Sequence, residues 1–347
     1  MAIWLTRFCT RYLVINVQPV KGQCSSGLDG LVLGMWTLTS ITCAVCVSRE
    51  FWLWLAWHQW CRMIDWSKDI VSWKCGGTLY LSVVFSWHLE AAEAMAQEHR
   101  GKVVAGGPAV KLNGAPWADE VMDACPFDAL SMHNPLATFT TRGCENRCGF
   151  CAVPKIEGDF RELPHWKPAP IVCDNNLLCS SNRHFERVID SLLPFNYVDF
   201  NQGLDARRFS PYHAYHFSRL LGCKVRFAFD WIGMESKVAD AIWVARAAGL
   251  RDFGVYVLIG FNDTPEDAVY RLETVRSWGI LPNPMRYQPL DAKKKDGYLH
   301  PAWDENTMKR VQRYYSRLVW LGHIPFKDYD VCEESLFQET PNDCAAV

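Results

Sequence analysis

Cys144, Cys148 and Cys151 stand in the stretch Thr-Thr-Arg-Gly-Cys-Glu-Asn-Arg-Cys-Gly-Phe-Cys, a C-x3-C-x2-C spacing. Thiolates this close along the chain can ligate one compact metal group. A [4Fe–4S] cluster usually takes four cysteines. Three leave one iron with an open coordination position, and open positions are where metal centres do chemistry, as catalytic zinc sites illustrate. Two other readings of the same residues stand beside this one. The thiols could hold zinc with a fourth ligand from elsewhere, such as His133. They could also be unrelated cysteines buried as small apolar groups.

The elements around the loop decide where it sits. From Leu136 the chain alternates regularly. Strands are predicted at Ala137–Thr141, Pro170–Asp174, Tyr197–Asn201, Lys224–Asp230, Phe253–Gly260 and Pro284–Gln288. Helices are predicted at Arg183–Leu193, Pro211–Leu221, Glu235–Ala248, Pro265–Trp278 and Asp304–Leu321. Gly222, Gly249 and Gly279 read as helix stops, because glycine accepts the left-handed conformation. Thr264-Pro265-Glu266-Asp267 reads as a helix start, with Thr264 as the cap and acids facing the helix dipole. The stretch from Val153 to Lys167 is proline-rich and predicts an irregular first crossover. Alternating strands and helices predict an α/β fold around a parallel sheet. Such folds gather ligands at the C-terminal ends of their strands.

Polar residues fall at those ends. Asp174, Asn175 and Asn176 follow the second strand; Gln202, Asp205 and Arg207 follow the third. Asp230 ends the fourth, Gly260-Phe261-Asn262-Asp263 ends the fifth, and Met285, Arg286, Tyr287 and Gln288 lie on the sixth. Each also has a structural reading. Asp174 and Asn176 are turn formers, Asp205 can pair with Arg207 or Arg208, and Asp230 can cap a turn. Glu157 and Glu162 read as solvated loop carboxylates. Arg142, just before the loop, suits an anionic cluster or a carboxylate.

Upstream, Leu79–Phe85, His88–His99 and Lys102–Ala105 predict a strand, a helix and a strand, a βαβ unit. Residues 1–75 hold seven tryptophans by Trp66 and six cysteines by Cys75, with weak periodicity. They are expected to lie outside the fold, as a start misassigned upstream of Met63 would explain. Leu31–Ser48 is uncharged but diluted by Thr37, Thr39, Ser40 and Thr42, so no membrane span and no signal peptide are expected. Net charge is −2, so no global field draws the chain to nucleic acid. Lys293-Lys294-Lys295, with Lys309, Arg310, Arg313 and Arg317 on the last helix, is the one candidate phosphate-binding face. Fifteen cysteines without a secreted disulfide pattern point to a reducing cytoplasm.

The cysteine loop resembles that of the radical S-adenosylmethionine (SAM) superfamily. Within it, the chain is similar to small iron–sulfur oxidoreductases of bacteria and their phages. The resemblance implies a partial (β/α)6 TIM-like barrel over about residues 136–322, preceded at 76–135 by a small Rossmann-like segment and followed by a tail at 323–347. It implies a [4Fe–4S] cluster on Cys144, Cys148 and Cys151, with SAM on the open iron. Reductive cleavage of SAM then gives a 5′-deoxyadenosyl radical that abstracts hydrogen from a substrate. Phe150, Asn176, Gln202, Asp230 and Gly260 become candidates for SAM contact, Phe150 near the adenine. Gln202, Asp205, Arg207 and Tyr287 become candidates to face the substrate. A flavodoxin- or ferredoxin-like electron donor is implied as partner. The upstream segment resembles half of a cobalamin-binding-type domain, but its Asp-x-His-x-x-Gly pattern is missing, so cobalamin is not expected. Two other classes remain open from the residues: a zinc module that binds nucleic acid, and a membrane-tethered protein.

Overall fold

Two β-sheet layers, the first mixed and the second all parallel, carry the described part of the chain. The computed structural model describes residues 70–122, 129–318 and 322–329, all within one unit that excludes Leu5–Asp65. The uncharged run Leu31–Ser48, Cys332 and Cys344 lie outside the described residues. No described helix is long and apolar enough to cross a membrane.

The first layer begins earlier than expected. β1 (Ile70–Cys75) and β2 (Thr78–Val83) form an antiparallel hairpin, so the sheet reaches back past the expected boundary at 76. α1 (Leu89–Gln97) crosses to β3 (Val103–Gly106), completing the expected βαβ unit. α2 (Pro108–Asn113) then leads to β4 (Glu120–Met122), which pairs parallel to β3. Leu79, Leu81 and Val83 point alternately inward and bury against Ala92, Ala96 and Val110, as period-two strands on a helix must.

After α3 (Ala129–His133) the second layer starts at β5 (Ala137–Thr138). The predicted first strand does not run on to Thr141. Asp174 accepts hydrogen bonds from the backbone N–H of Thr140 (2.6 Å) and of Thr141 (3.0 Å), and from the Thr140 hydroxyl. Those bonds turn the chain off the sheet. β6 (Thr141–Arg142) instead pairs antiparallel with β7 (Arg161–Glu162), with the short α4 (Val153–Ile156) between them. The cysteine loop therefore lies inside a hairpin excursion rather than at a strand end.

β8 (Ile171–Val172), α5 (Asn182–Leu192), β9 (Val198–Phe200), α6 (Pro211–Ser218), β10 (Cys223–Ala228), α7 (Glu235–Ala247), β11 (Asp252–Ile259), α8 (Pro265–Ser277), β12 (Pro282–Arg286) and α9 (Glu305–Ser316) complete the alternation. The six strands are all parallel and lie in chain order, β5-β8-β9-β10-β11-β12. Val225, Phe227, Val255, Val257 and Ile259 share one core with residues from α5 to α9. Arg226, Ala228, Tyr256 and Leu258 alternate with them and stand outside that core. All five helices thus cover one face, and the opposite face carries polar groups, including the buried pair Arg226–Asp199.

The helix signals hold in part. Thr264 and Asp267 form a reciprocal capping box around Pro265. Gly249 and Gly279 adopt φ of +89° and +71°. Gly222 does not, because α6 stops at Ser218; its missing Cβ makes room for the Tyr197 ring, 3.1 Å away. At the C-terminus, Arg310 donates to the carbonyls of Phe326, Lys327 and Tyr329 and lies over the Phe326 ring. Tyr329 is buried in the core, so the described part of the expected tail is packed structure. This use of Arg310, together with the Lys309–Glu305 ion pair (3.3 Å), removes two cations from the expected phosphate-binding face.

Arg271 of α8 is the most deeply buried cation among the described residues. It donates to the carbonyls of Phe229 (3.1 Å), Asp230 (3.0 Å) and Leu258 (2.7 Å), and pairs with Asp263. It ties the ends of β10 and β11 together. Replacing it by methionine removes the cation paired with Asp263 and the donor shared by three carbonyls. Arg271→Met is expected to cost about 3–5 kcal/mol in urea unfolding, whereas Tyr215→Ala, at an exposed position, is expected to change stability by less than about 0.5 kcal/mol.

Candidate active site

The cysteine loop is held by side chains on both flanks. On one flank stands Glu157. It accepts from the Gly143 N–H (2.8 Å) and Asn175 Nδ2 (2.7 Å) and pairs with Arg142 (2.9 Å). It is no solvated loop carboxylate. Arg142, expected to face an anion, is stacked 3.9 Å from the Phe139 ring and held by Glu157. Glu162 is also engaged, accepting from the Ser181 N–H (2.6 Å) at the start of α5. Gly143 has φ +75°, and a Cβ there would lie 2.3 Å from the Asp159 carbonyl oxygen. Only glycine fits that turn into Cys144.

On the other flank stands Asp205. Its carboxylate takes Arg207 in a fork (2.7 and 2.8 Å) and accepts from Asn146 Nδ2 (2.8 Å). Arg208 pairs with Glu145 beside it. Asp205, expected to face a substrate, binds the cysteine loop to the segment after β9. Its acidity is strengthened by Arg207 and Asn146 against the opposing cost of burial, which is the larger single influence.

The thiols differ from one another. Cys144 is buried, and its sulfur lies 3.4 Å from the Asn146 N–H and 3.7 Å from Asn176 Nδ2. The Cys179 thiol also reaches it, and this hydrogen bond is the main reason that Cys144 is drawn down to about 6. Burial pushes Cys148 and Cys151 the other way. Cys179 closes the turn after β8 and was not legible as a site residue, since its spacing from the loop follows no pattern. His133 sits elsewhere, hydrogen-bonded to Ser82 (3.1 Å). No three His, Cys, Asp or Glu side chains among the described residues gather closely enough to hold a single metal ion.

One cleft unites most of the expected residues. Cys144, Cys148, Cys151, Phe150, Asn176, Gln202, Asp205, Arg207 and Asp230 line it together. Two of its acceptors, Asn176 Oδ1 and Asp230 Oδ1, are buried with no hydrogen-bond partner among the described residues. Burial raises Asp230 to about 7, against the opposing pull of Arg271 and Arg207. Two expected residues fall outside. Tyr287 lines a second cavity, which meets the cleft at Phe150, Val153 and Asn175 and is walled by Phe85 and Trp87 from the first layer. Tyr287 and Phe150 are joined there through Phe261, at 4.8 and 5.7 Å between ring centroids. Gly260 serves through its backbone. Its φ is +77°, its N–H donates to Asp263 (2.8 Å), and the Met308 methyl occupies the space of a Cβ.

Comparisons with protein-family models, with curated proteins and with solved structures found no match.

An aspartate whose folded pKa is raised stabilises the fold in its neutral form. That stabilisation is complete below the unfolded pKa of about 4 and is lost as pH rises through about 7. In the metal-free protein, Asp230→Asn is therefore expected to gain melting temperature relative to wild type as pH rises from 4 to 7. A parallel pair of curves would contradict the buried environment of Asp230. Gly143→Ala is expected to lower the melting temperature and to weaken metal uptake, measured as iron bound per chain.

Proposed function

We propose that this chain is a radical SAM enzyme built on a partial (β/α)6 barrel. The observation that carries the reading is the cleft in which three loop thiols meet two buried acceptors without partners. Buried polar atoms without partners mark places where a ligand completes the bonding. Lone acceptors beside an acidic group call for a cationic ligand rich in donors. The ammonium of SAM supplies such donors, and its sulfonium adds positive charge.

The sheet supports the same reading. Parallel strands in chain order, with α5–α9 on one face, favour a sheet that curls around the other face. Here β5 and β12 stand at its two edges. The curled face would then hold the polar residues that end β8, β9 and β10.

Cys144, Cys148 and Cys151 fit a [4Fe–4S] cluster: three thiols, one open iron, and a loop pinned by Glu157 and Asp205. When bound, the cluster supplies the electron that cleaves SAM to a 5′-deoxyadenosyl radical, which abstracts hydrogen from the substrate. Asn176 and Asp230 would accept hydrogen bonds from the bound SAM cation. Gln202 would line the ribose side of the cleft. Phe150 and Tyr287, facing the second cavity, would enclose the adenine, which moves Tyr287 from the expected substrate side to the cofactor side. Arg207, fixed by Asp205, would offer its guanidinium to an anionic group of SAM or of the substrate. The apolar walls would keep water from the reacting centre. A low-potential donor of the flavodoxin or ferredoxin type belongs to the reading as partner.

The test is anaerobic reconstitution with iron and sulfide, reduction, addition of SAM, and mass spectrometry for 5′-deoxyadenosine. Cys148→Ala is expected to abolish it; activity retained in that variant would sink the assignment. Asp230→Asn is expected to keep the cluster but to raise the KM for SAM about tenfold or more, the scale of one hydrogen bond to a charged group. An unchanged KM would remove Asp230 from the site.

A further inference from the structure

Arg286 and Gln288 line the second cavity and do not line the cleft that holds the thiols. Each carries one buried polar atom without a hydrogen-bond partner among the described residues: the Nε donor of Arg286 and the Oε1 acceptor of Gln288. The other end of each side chain is engaged. Arg286 Nη2 donates to the carbonyls of Asp296 (2.9 Å) and Tyr298 (2.7 Å) and pairs with Glu305 (3.3 Å). Gln288 Nε2 lies 3.5 Å from the Asp296 carboxylate, which directs the amide oxygen away from that acid. The two charged residues that line the cavity, Glu157 and Arg286, are already in ion pairs, with Arg142 and Glu305. The walls are largely aromatic. Phe85 and Trp87, stacked 4.5 Å apart, come from the segment after β2, and Tyr287 from the segment after β12. The cavity volume is about 180 Å³, below the range for drug-sized ligands and suited to a single ring system.

We propose that the second cavity is the substrate site and takes a neutral, planar heterocycle whose edge carries an N–H donor beside a carbonyl, as nucleobases of the uracil and guanine type do. That this ligand is the substrate rests on the radical SAM reading; that it binds does not. A lone donor and a lone acceptor in one cavity are completed by a group that presents the reverse pair. Residues two apart on an extended chain have Cα atoms about 7 Å apart, close enough for two side chains to converge on one ring edge. In that arrangement the ring N–H donates to Gln288 Oε1, and Arg286 Nε donates to the ring carbonyl. Aromatic walls hold the ring faces by stacking. Neutrality follows from the paired charges, since an added charge would be buried without a counter-ion. The adenine enclosed by Phe150 and Tyr287 stays at the wall shared with the cleft. The substrate ring lies beyond it, against Phe85, Trp87 and Gln288, none of which lines the cleft.

The experiment is a saturation-transfer NMR titration of the full chain with uridine, 3-methyluridine and adenosine. Uridine is expected to bind, and 3-methyluridine, which lacks the ring N–H, to bind about tenfold more weakly, the scale of leaving one buried acceptor unsatisfied. Gln288→Leu replaces the amide by an apolar group of similar length and is expected to close that gap by weakening uridine alone. Trp87→Leu is expected to weaken both ligands together. The wild-type comparison of uridine with 3-methyluridine needs no variant, so a Gln288→Leu chain that fails to fold leaves the test intact. Absence of uridine binding to the folded chain, equal affinity for the two uridines, or a gap that persists in Gln288→Leu would each overturn the proposal while leaving the enzyme reading standing. Adenosine bound more tightly than uridine, with that preference lost in Gln288→Leu, would give the cavity to the cofactor and overturn its assignment to substrate. A chain that binds uridine as expected but forms no 5′-deoxyadenosine after reconstitution would keep the heterocycle site and overturn its role as a radical substrate site.

Discussion

Asp174 turns the chain out of the sheet, and every route to the thiols runs through that turn. Its carboxylate takes the N–H groups of Thr140 and Thr141 and the Thr140 hydroxyl, all from the opposite strand end. Three donors on one buried carboxylate compensate part of its desolvation, yet burial still lifts its acid form to about 6. The consequence is geometric. β5 is cut to two residues, and the cysteine loop swings out as a hairpin beside the sheet instead of above a single strand. The thiols then face the ends of β8, β9 and β10 together, which a loop continuing one strand would not achieve.

A loop freed from the sheet needs other anchors, and the chain provides them as carboxylates rather than apolar contacts. Glu157 fixes the entry to Cys144, and Asp205 fixes the segment between Cys144 and Cys148. Both are partnered by arginine, so neither adds an uncompensated negative charge beside three thiols. Asp230 is different. Arg271 grips its backbone carbonyl, not its carboxylate, and leaves one oxygen buried without a partner. An unpaired buried acceptor costs folding free energy. That oxygen borders the cleft, where water or a ligand can complete the bond.

Much of this architecture was legible in the residues. Five helices and five of the six parallel strands follow from the regular alternation of strand-like and helix-like stretches and from the stop and start signals at Gly249, Gly279 and Thr264. The loop spacing and the polar strand ends were equally plain. The β5 break was not, since Phe139-Thr140-Thr141 has the same β-branched and aromatic character as a continuing strand. Only the remote carboxylate of Asp174 overrides it. Cys179 was illegible for a similar reason: its approach to Cys144 depends on how two turns pack, not on any spacing along the chain. Glu157 looked like a surface group because sequence shows a charge but not its partner; the pairing of Asp205 with Arg207 was legible, but its bond to Asn146 was not.

The first layer gives the second cavity a use. Ser86 donates to the Leu290 carbonyl (2.9 Å) and accepts from Asn113 (3.0 Å), bolting the segment after β2 to the segment after β12. The bolt places Phe85 and Trp87, stacked 4.5 Å apart, across from Phe150 and Tyr287. Gly107, whose φ is +98°, lies so close to the Val83 backbone that a Cβ would meet its carbonyl oxygen at 2.5 Å. The turn after β3 packs tightly against β2, and Pro108 just beyond it lines the second cavity. The layer acts as a wall of the neighbouring cavity, and the aromatic pair it carries helps define what that cavity can hold.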